Sequence, residues 1–249
     1  MKAVILAGGN GTRLHPLTLV TNKHLLPVFN KPVIYYAIEK LVDAGITKIM
    51  IVTSPHQIDS FVRLLGSGQH FVPKTTGAKQ IQIVYGIQNE PNGIAYGLFI
   101  AEDYIGGDNC VLFLGDNIFM DDISPAIKKF RKGATVFLKE VHDPKHFGIA
   151  EVNRKGKIIG LEEKPLKPKS NLAVTGIYIY DNTVFDKIRK IPPSGRGEYE
   201  ITSVNELYME AGSLHAHMLD KEWFDIGNIE ALHKASLFMK KRAQHETLI

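Results

Sequence analysis

Cysteine is nearly missing from this chain. One residue in 249, Cys110, leaves no intrachain disulfide available and no cysteine cluster for a structural zinc site. Cys110 sits in the apolar run Cys110-Val111-Leu112-Phe113-Leu114, where it reads as a small core residue rather than a nucleophile. No apolar run approaches the roughly 20 residues that a membrane-spanning helix needs. Met1 and Lys2 lead straight into the first apolar stretch, so no signal peptide is expected; the expected location is cytoplasmic, with no membrane partner. An excess of one charge is absent too. Lys and Arg number 30 against 26 Asp and Glu, a net +4, and the densest basic stretches, around Lys128-Lys129 and Lys240-Lys241, fit solvated helix ends, so no nucleic-acid partner is expected. Neither a Gly-x-Ser-x-Gly elbow nor a zinc-spaced histidine cluster occurs, which disfavours covalent catalysis and leaves His215 and His217 as structural residues.

What the chain does carry begins at its first twenty-seven residues. The run 3–7 (Ala-Val-Ile-Leu-Ala) is too short for a helix and rich in strand formers, and it empties into Gly8-Gly9-Asn10-Gly11-Thr12-Arg13, with Lys23 ten residues beyond Arg13. Loops at the C-terminal ends of buried strands are where open α/β sheets bind ligands. Three glycines in four positions let backbone N–H groups approach an anion, and Arg13 and Lys23 supply positive charge. A phosphate cradle and a plain strand-to-helix turn both remain open from this loop alone. It is neither a dinucleotide fingerprint, which needs a further glycine after Thr12, nor a P-loop, which needs Gly-Lys-Ser/Thr.

Strand and helix signals then alternate, the pattern of a mostly parallel sheet covered by helices. Helices are predicted over 32–44, 56–65, 93–104 and 124–131, the last with Ser124 as N-cap and Pro125 at the first helical position. Strands are predicted over 48–53, 80–85, 111–117 and 134–141, with a polar loop over 66–79. Past residue 141 the texture changes. Strands at 147–152, 157–163 and 172–180, the first two joined by a turn at Asn153-Arg154-Lys155-Gly156, suggest an added and partly antiparallel β layer. Helices at 181–189 and 200–211, a strand at 214–219 and a helix from Ile229 to about Ala243, capped by Asn228, complete the chain. The expectation is one α/β domain of doubly wound, mostly parallel but mixed sheet with an inserted β layer. Its first part spans about 1–117, its second about 118–227 and its terminal helix 228–243.

Two carboxylates and one lysine stand out. Asp116 directly follows a buried strand, and a carboxylate opposite phosphates calls for a divalent cation such as Mg²⁺ between them; a turn aspartate is the plainer alternative. Asp225, in Trp223-Phe224-Asp225-Ile226-Gly227, could be a second ligand. Lys164 precedes Pro165, which predicts an extended backbone there with Glu163 on the opposite face. An ammonium suits a phosphate and a carboxylate suits sugar hydroxyls, although taken alone these two read as an edge-strand charge pair before they read as a site. Arg196-Gly197-Glu198-Tyr199-Glu200 reads equally as a helix entry.

Together the segments LAGGNGTRLHPLT, NKHLLPV, KPVIYYAI, LLGSG, GIAYGL, LGDNIF, LEEKPLKPKSNLAVTGIYIYD, RGEYEIT and WFDIGN, in this order along nearly the whole chain, resemble the sugar-1-phosphate nucleotidylyltransferase family. The branch they resemble most acts on dTTP and glucose 1-phosphate. The resemblance implies a nucleotide-diphospho-sugar transferase fold and the reaction of an NTP with a sugar 1-phosphate to give an NDP-sugar and pyrophosphate. It implies that Leu6, Gly8, Gly9, Gly11, Thr12 and Arg13 hold the nucleotide with Lys23 beside them, that Gln88 and Gly93 read the base, and that Asp116 contacts the nucleotide and, with Asp225, binds Mg²⁺. Asn117, Gly148, Glu163, Lys164, Val174 and Gly176 are implied to place the sugar phosphate. Arg13, Lys23 and Lys164 are implied to carry the catalytic charge. A UTP-preferring transferase and a non-catalytic nucleotide-sugar sensor are the alternatives.

The chain departs from the family pattern at Asn92, where aspartate is common, at Tyr96 and His24, where glutamine is frequent, and at Phe147, where tyrosine is frequent. The first three bear on the choice of base, and Phe147 removes a hydroxyl near the sugar. The sequence ends soon after the Asn228 helix, whereas longer family members add C-terminal helices. Weak or absent end-product regulation of that type is therefore expected, and homo-oligomer formation is left open.

Overall fold

A computed structural model describes residues 1–72 and 80–246. The first half runs β1 (Lys2–Leu6), β2 (Pro27–Val28), β3 (Lys31–Pro32), α1 (Val33–Asp43), β4 (Lys48–Thr53), α2 (Ile58–Leu65), β5 (Gln82–Ile87), α3 (Ile94–Phe99), α4 (Glu102–Ile105), β6 (Cys110–Leu114) and β7 (Asn117–Phe119). The second half runs α5 (Ser124–Lys129), β8 (Ala134–Glu140), β9 (Gly148–Val152), β10 (Ile158–Glu163), β11 (Leu172–Tyr180), α6 (Val184–Ile188), α7 (Ile201–Glu210), β12 (Leu214–Met218), β13 (Trp223–Asp225) and α8 (Ile229–Glu246).

Nine strands form one mixed sheet. Its spatial order is β10-β9-β11-β6-β1-β4-β5, and β8 pairs with both β11 and β12. Strands β1, β4, β5 and β6 are parallel neighbours, whereas β11 runs antiparallel to β6, β8 and β9. Side chains alternate across a strand, so β1 feeds two cores. Ala3 and Ile5 pack with Ile34, Ile38 and Leu41 of α1 and with Phe61 and Leu65 of α2, while Val4 packs on the other face with Leu98 of α3, Ile105 of α4 and Val204 of α7. Both faces are therefore covered, and the central strands read as continuous apolar runs for that reason.

The register brings the strand ends level. Leu6 lies opposite Val52 on one side and Leu114 on the other, and Thr53 lies opposite Ile87. The loops that leave β1, β5 and β6 consequently start along one edge of the sheet. Strand β11 crosses near this edge. Its pairing with β8 shifts register between Val174 and Tyr178, and the Thr175 hydroxyl donates to the Phe137 carbonyl (2.9 Å) within the irregular stretch.

Several local expectations need correction. The helix predicted over 93–104 is two short helices, because the Ala101 N–H bonds back only three residues, to the Leu98 carbonyl (2.9 Å), and tightens the turn. The helix predicted over 181–189 starts only at Val184: the Asp181 carboxylate accepts from Gly133 N (2.7 Å), Thr183 N (3.1 Å) and the Tyr208 hydroxyl (2.9 Å), and so anchors the turn instead. Ser124 is the first residue of α5 rather than its cap, with its N–H and hydroxyl both donating to Asp122 Oδ1. Of the loop expected over 66–79, residues 73–79 lie outside the described residues. The short ladders β2–β3 and β7–β13 were not anticipated.

Cys110 is fully buried at the start of β6, and burial, followed by the nearby Asp181, pushes its thiol up to about 12. The native protein is therefore expected to resist thiol reagents, with full reaction only on denaturation. Titration with a chromogenic disulfide before and after adding denaturant checks this. A stoichiometric reaction under native conditions would show that the site opens.

Candidate active site

The glycine loop begins one residue past β1 and is held from below. Asn22, itself buried, donates to the Ala7 carbonyl (3.0 Å), as does the Thr53 hydroxyl (3.1 Å). Asn22 Oδ1 accepts from the His24 backbone N–H (2.8 Å) and faces His24 Nδ1 (2.5 Å), so Nδ1 carries the ring proton. Burial first, then the charge of Lys23, pushes His24 down to about 3, so the ring stays neutral. The glycines are needed for close approach. A Cβ on Gly9 would lie 3.3 Å from Lys23 Cε, and Gly11 is left-handed (φ 61°) with Lys23 Cβ and the Thr18 methyl each 3.1 Å from where its Cβ would stand.

Lys23 reaches from this loop to the end of β6, where its ammonium pairs with Asp116 Oδ2. Burial alone would raise the Asp116 carboxyl; Lys23 overrides that and holds it below the usual carboxylate range. Asp225 lies opposite Asn117 in the β7–β13 ladder, and Ile226 N donates to the Asp116 carbonyl (2.9 Å). Two carboxylates 109 positions apart thus meet through a strand pair that sequence spacing could not reveal. Burial and the charge of Asp116 push Asp225 upward, opposed by Lys23, Arg13 and Lys164. The Arg13 guanidinium packs beside the same segment: a Cβ on Gly227 would lie 3.0 Å from its Nη2.

The opposite wall is built by the β layer. Gly148, Val174 and Gly176 come from β9 and from the irregular stretch of β11, and Glu163 and Lys164 from the end of β10. Lys164 is not extended, as Pro165 had predicted, but left-handed (φ 45°), held by its N–H donating to the Phe147 carbonyl (3.1 Å). The turn also brings Lys164 Nζ to 3.7 Å from Glu163 Oε1, on the same side rather than the opposite one. Glu163 is further held by the Thr202 hydroxyl (2.5 Å) and by Arg196 Nη2 (3.6 Å), which also pairs with Glu200 (2.8 Å). The motif Arg196–Glu200 is therefore part of a charge network behind Glu163, and Thr202, the second residue of the following helix, was the residue that sequence reading missed.

These walls enclose one cleft of about 370 Å³. Leu6, Gly8, Gly9, Arg13, Lys23, Gln88, Gly93 and Asp116 line it together with Asn117, Gly148, Glu163, Lys164, Val174, Gly176 and Asp225. Gly11 and Thr12 do not line it; they form the turn behind the loop. Of the family departures, His24 and Phe147 line the cleft, whereas Tyr96 stacks on Tyr199 (ring centroids 6.0 Å apart) outside it. Three cations, from Arg13, Lys23 and Lys164, share the cleft with the carboxylates of Asp116, Asp225 and Glu163. Such a site can hold two anionic groups against each other and place hydroxyls beside a carboxylate.

A doubly wound sheet with a glycine loop and paired cations and carboxylates over its strand ends makes a site built for anionic ligands at the sheet's C-terminal edge. The chain belongs to the nucleotidyl transferase family, which matches residues 2–242. The glucose-1-phosphate thymidylyltransferase of Neisseria meningitidis serogroup A is 44% identical over 246 residues, covering 96% of this chain and 83% of that one. A crystal structure of a candidate glucose-1-phosphate thymidylyltransferase from Bacillus anthracis, in complex with sucrose, superposes with a TM-score of 0.88 at 46% identity, over 96% of this chain and 94% of that one. A UDP-glucose pyrophosphorylase solved with UDP-glucose has a TM-score of 0.83 at 25% identity, covering 97% and 98% of the two chains. Among the described residues no helix is long and apolar enough to cross a membrane.

Proposed function

We propose that this protein joins dTTP to glucose 1-phosphate, releasing pyrophosphate and dTDP-glucose. The observation that carries the reading is the placement of Lys164 and Glu163 in the same cleft as the glycine loop, Arg13, Lys23 and Asp116. In this reading the chain is one domain. Residues of about 1–117 hold the nucleotide, with Leu6, Gly8, Gly9 and Arg13 on its phosphates and sugar, Gly11 and Thr12 shaping the turn behind them, and Gln88 and Gly93 at the base edge. Residues of about 118–227 hold the sugar phosphate, with Lys164 on its phosphate and Asn117, Gly148, Glu163, Val174 and Gly176 around the hexose.

A phosphate oxygen of the sugar attacks the α-phosphorus, one P–O bond forms, and the bond to the leaving pyrophosphate breaks on the opposite side. The monoester oxygens are already anionic near neutral pH, so no general base is required. The barrier lies in bringing two anions together, and the three cations lower it by alignment and charge neutralisation. Asp116 and Asp225 suit a Mg²⁺ ion, because burial and the charge of Asp116 oppose ionisation of Asp225 and a divalent cation held by the two carboxylates would relieve that repulsion. Bound there, the ion would supply further neutralisation of the phosphates.

The likeness to a UDP-glucose pyrophosphorylase keeps a UTP-preferring transferase as a second reading. A grid of nucleotides against sugar 1-phosphates, read by pyrophosphate release, separates the two. The highest kcat/KM is expected for dTTP with glucose 1-phosphate. A preference for UTP favours the second reading, and tight NDP-sugar binding with no turnover for any pair indicates a sensor.

A further inference from the structure

Asn117 stands between two groups that decide which way its carboxamide faces. Its Oδ1 accepts from the Trp223 indole N–H (2.7 Å), and its Nδ2 donates to Asp116 Oδ1 (2.8 Å). An indole nitrogen can only donate, so it admits the oxygen of the amide and rejects the NH₂ end. The reverse orientation would set N–H against N–H at Trp223 and oxygen against oxygen at Asp116. Gly176 closes the third side: a Cβ there would lie 2.6 to 2.9 Å from Asn117 Cγ, Oδ1 and Nδ2, so the amide plane is clamped by bare backbone. Asn117 is 2% exposed, which leaves solvent no part in the choice.

The far end of the chain of contacts is equally fixed. Trp223 lies between the rings of Phe119 (6.3 Å, stacked) and Phe147 (5.3 Å, tilted). Its backbone pairs with Phe119 in the β7–β13 ladder, so the indole cannot turn without breaking that packing. At the near end, Asp116 has one oxygen on Asn117 and the other on Lys23, which sets the plane of the carboxylate in the cleft.

We propose that Trp223 is a positioning residue for the transfer reaction, whose N–H sets the orientation of the Asn117 carboxamide and through it the orientation of the Asp116 carboxylate. This rests on the reading of the cleft as a nucleotidylyl-transfer site. The role belongs to the N–H and is separate from the part Trp223 takes in lining the cleft. Without the N–H, Asp116 alone holds the amide, its oxygen loses its only donor among the described residues, and both the amide and the carboxylate facing Lys23 are fixed less tightly.

Trp223 is the only tryptophan in the chain, so biosynthetic replacement of tryptophan by benzothienylalanine, which has sulfur in place of N–H at nearly the same shape, alters this one group. The substituted protein is expected to keep its thermal midpoint within a few degrees and to lose about 10-fold or more in kcat, with KM for glucose 1-phosphate changed less than about threefold. Trp223→Phe should behave similarly. A double-mutant cycle of Trp223→Phe with Asn117→Ala should show that the double variant is no worse than about twofold below the poorer single one, because both remove the same link. A kcat within twofold of the parent for the isosteric replacement, or losses that multiply in the cycle, overturns the proposal.

A readout free of turnover keeps the two readings distinct. In ¹⁵N-edited spectra of the ligand-free protein, the Asn117 side-chain NH₂, locked on a carboxylate, should give a single well-resolved pair that splits or broadens on benzothienylalanine replacement. An unchanged pair overturns the positioning role even if the enzyme is active. A changed pair in a protein without pyrophosphate release upholds the orientation while refuting the transferase reading.

Discussion

Alanine at Lys164 is expected to lower kcat/KM for glucose 1-phosphate by about 10³-fold, roughly 4 kcal/mol of transition-state stabilisation, while leaving the protein folded. Arg13 and Lys23 arise from the nucleotide side of the cleft, and Lys23 is already committed to Asp116. Lys164 is the cation supplied by the sugar side, so no neighbour replaces it when a second phosphate must approach the first. Its side chain is 46% exposed and its ion pair with Glu163 is long at 3.7 Å, so stability depends little on it. The loss should fall on both kcat and KM, since the ammonium meets the same phosphate before and during transfer. A left-handed backbone at a lysine before proline is disfavoured. Strain of this kind persists where surrounding structure overdetermines it, here through the bond from Lys164 N to the Phe147 carbonyl. Lys164→Gly should therefore melt above Lys164→Ala while being equally inactive. Steady-state kinetics with calorimetric melting checks both halves; near-parental turnover in either variant removes Lys164 from its role.

The second large effect is expected at Gly93. Its φ of 98° with ψ of 171° belongs to glycine almost alone, and a Cβ would stand 2.6 Å from the Tyr199 carbonyl oxygen and 2.8 Å from its nitrogen. These are backbone atoms that cannot step aside. Tyr199 N donates to the Asn92 carbonyl (2.8 Å) and its carbonyl accepts from Ala95 N (3.1 Å), so the segment carrying Arg196 and Glu200 is fastened to the segment carrying Gly93. Gly93→Ala should cost about 3 kcal/mol, a fall of roughly 6 to 12 °C in Tm for a chain of this size. It should also lower nucleotide affinity by an order of magnitude or more, because the base edge and the network behind Glu163 move together. Thermal melting and nucleotide titration test this; a variant with parental Tm would mean that the Tyr199 clamp yields easily.

Much of this site was legible because its parts are local. The Gly8 to Arg13 loop announces itself by three glycines after a buried strand, and Asp116 by a carboxylate at the end of another, since chemistry at strand ends needs only neighbours in sequence. Helix caps were legible for the same reason when the capping side chain was adjacent, as with Asn228, whose Oδ1 accepts from Ala231 N (2.8 Å). They were misread where the helix began a residue early, as at Ser124, which follows Ile123 as the first residue of α5 and donates to Asp122. Pro165 misled for a different reason. The rule that proline imposes an extended conformation on its predecessor is a local preference, and the bond from Lys164 N to the Phe147 carbonyl overrides it.

By itself the sequence determined the alternation of strands and helices, the glycine loop with its two cations, and the identities of the charged groups, because each depends on the propensity and spacing of adjacent residues. Tertiary structure alone decided which of those groups meet. The β7–β13 ladder sets Asp225 beside Asp116, and the register shift in β11 opens the wall where Val174 and Gly176 lie. The left-handed turn at Lys164 aims its ammonium, and the indole of Trp223 chooses the face of Asn117. Each of these joins residues far apart in the chain through backbone pairing or through one donor meeting one acceptor, and no pattern of spacing encodes such a meeting until the sheet has closed around it.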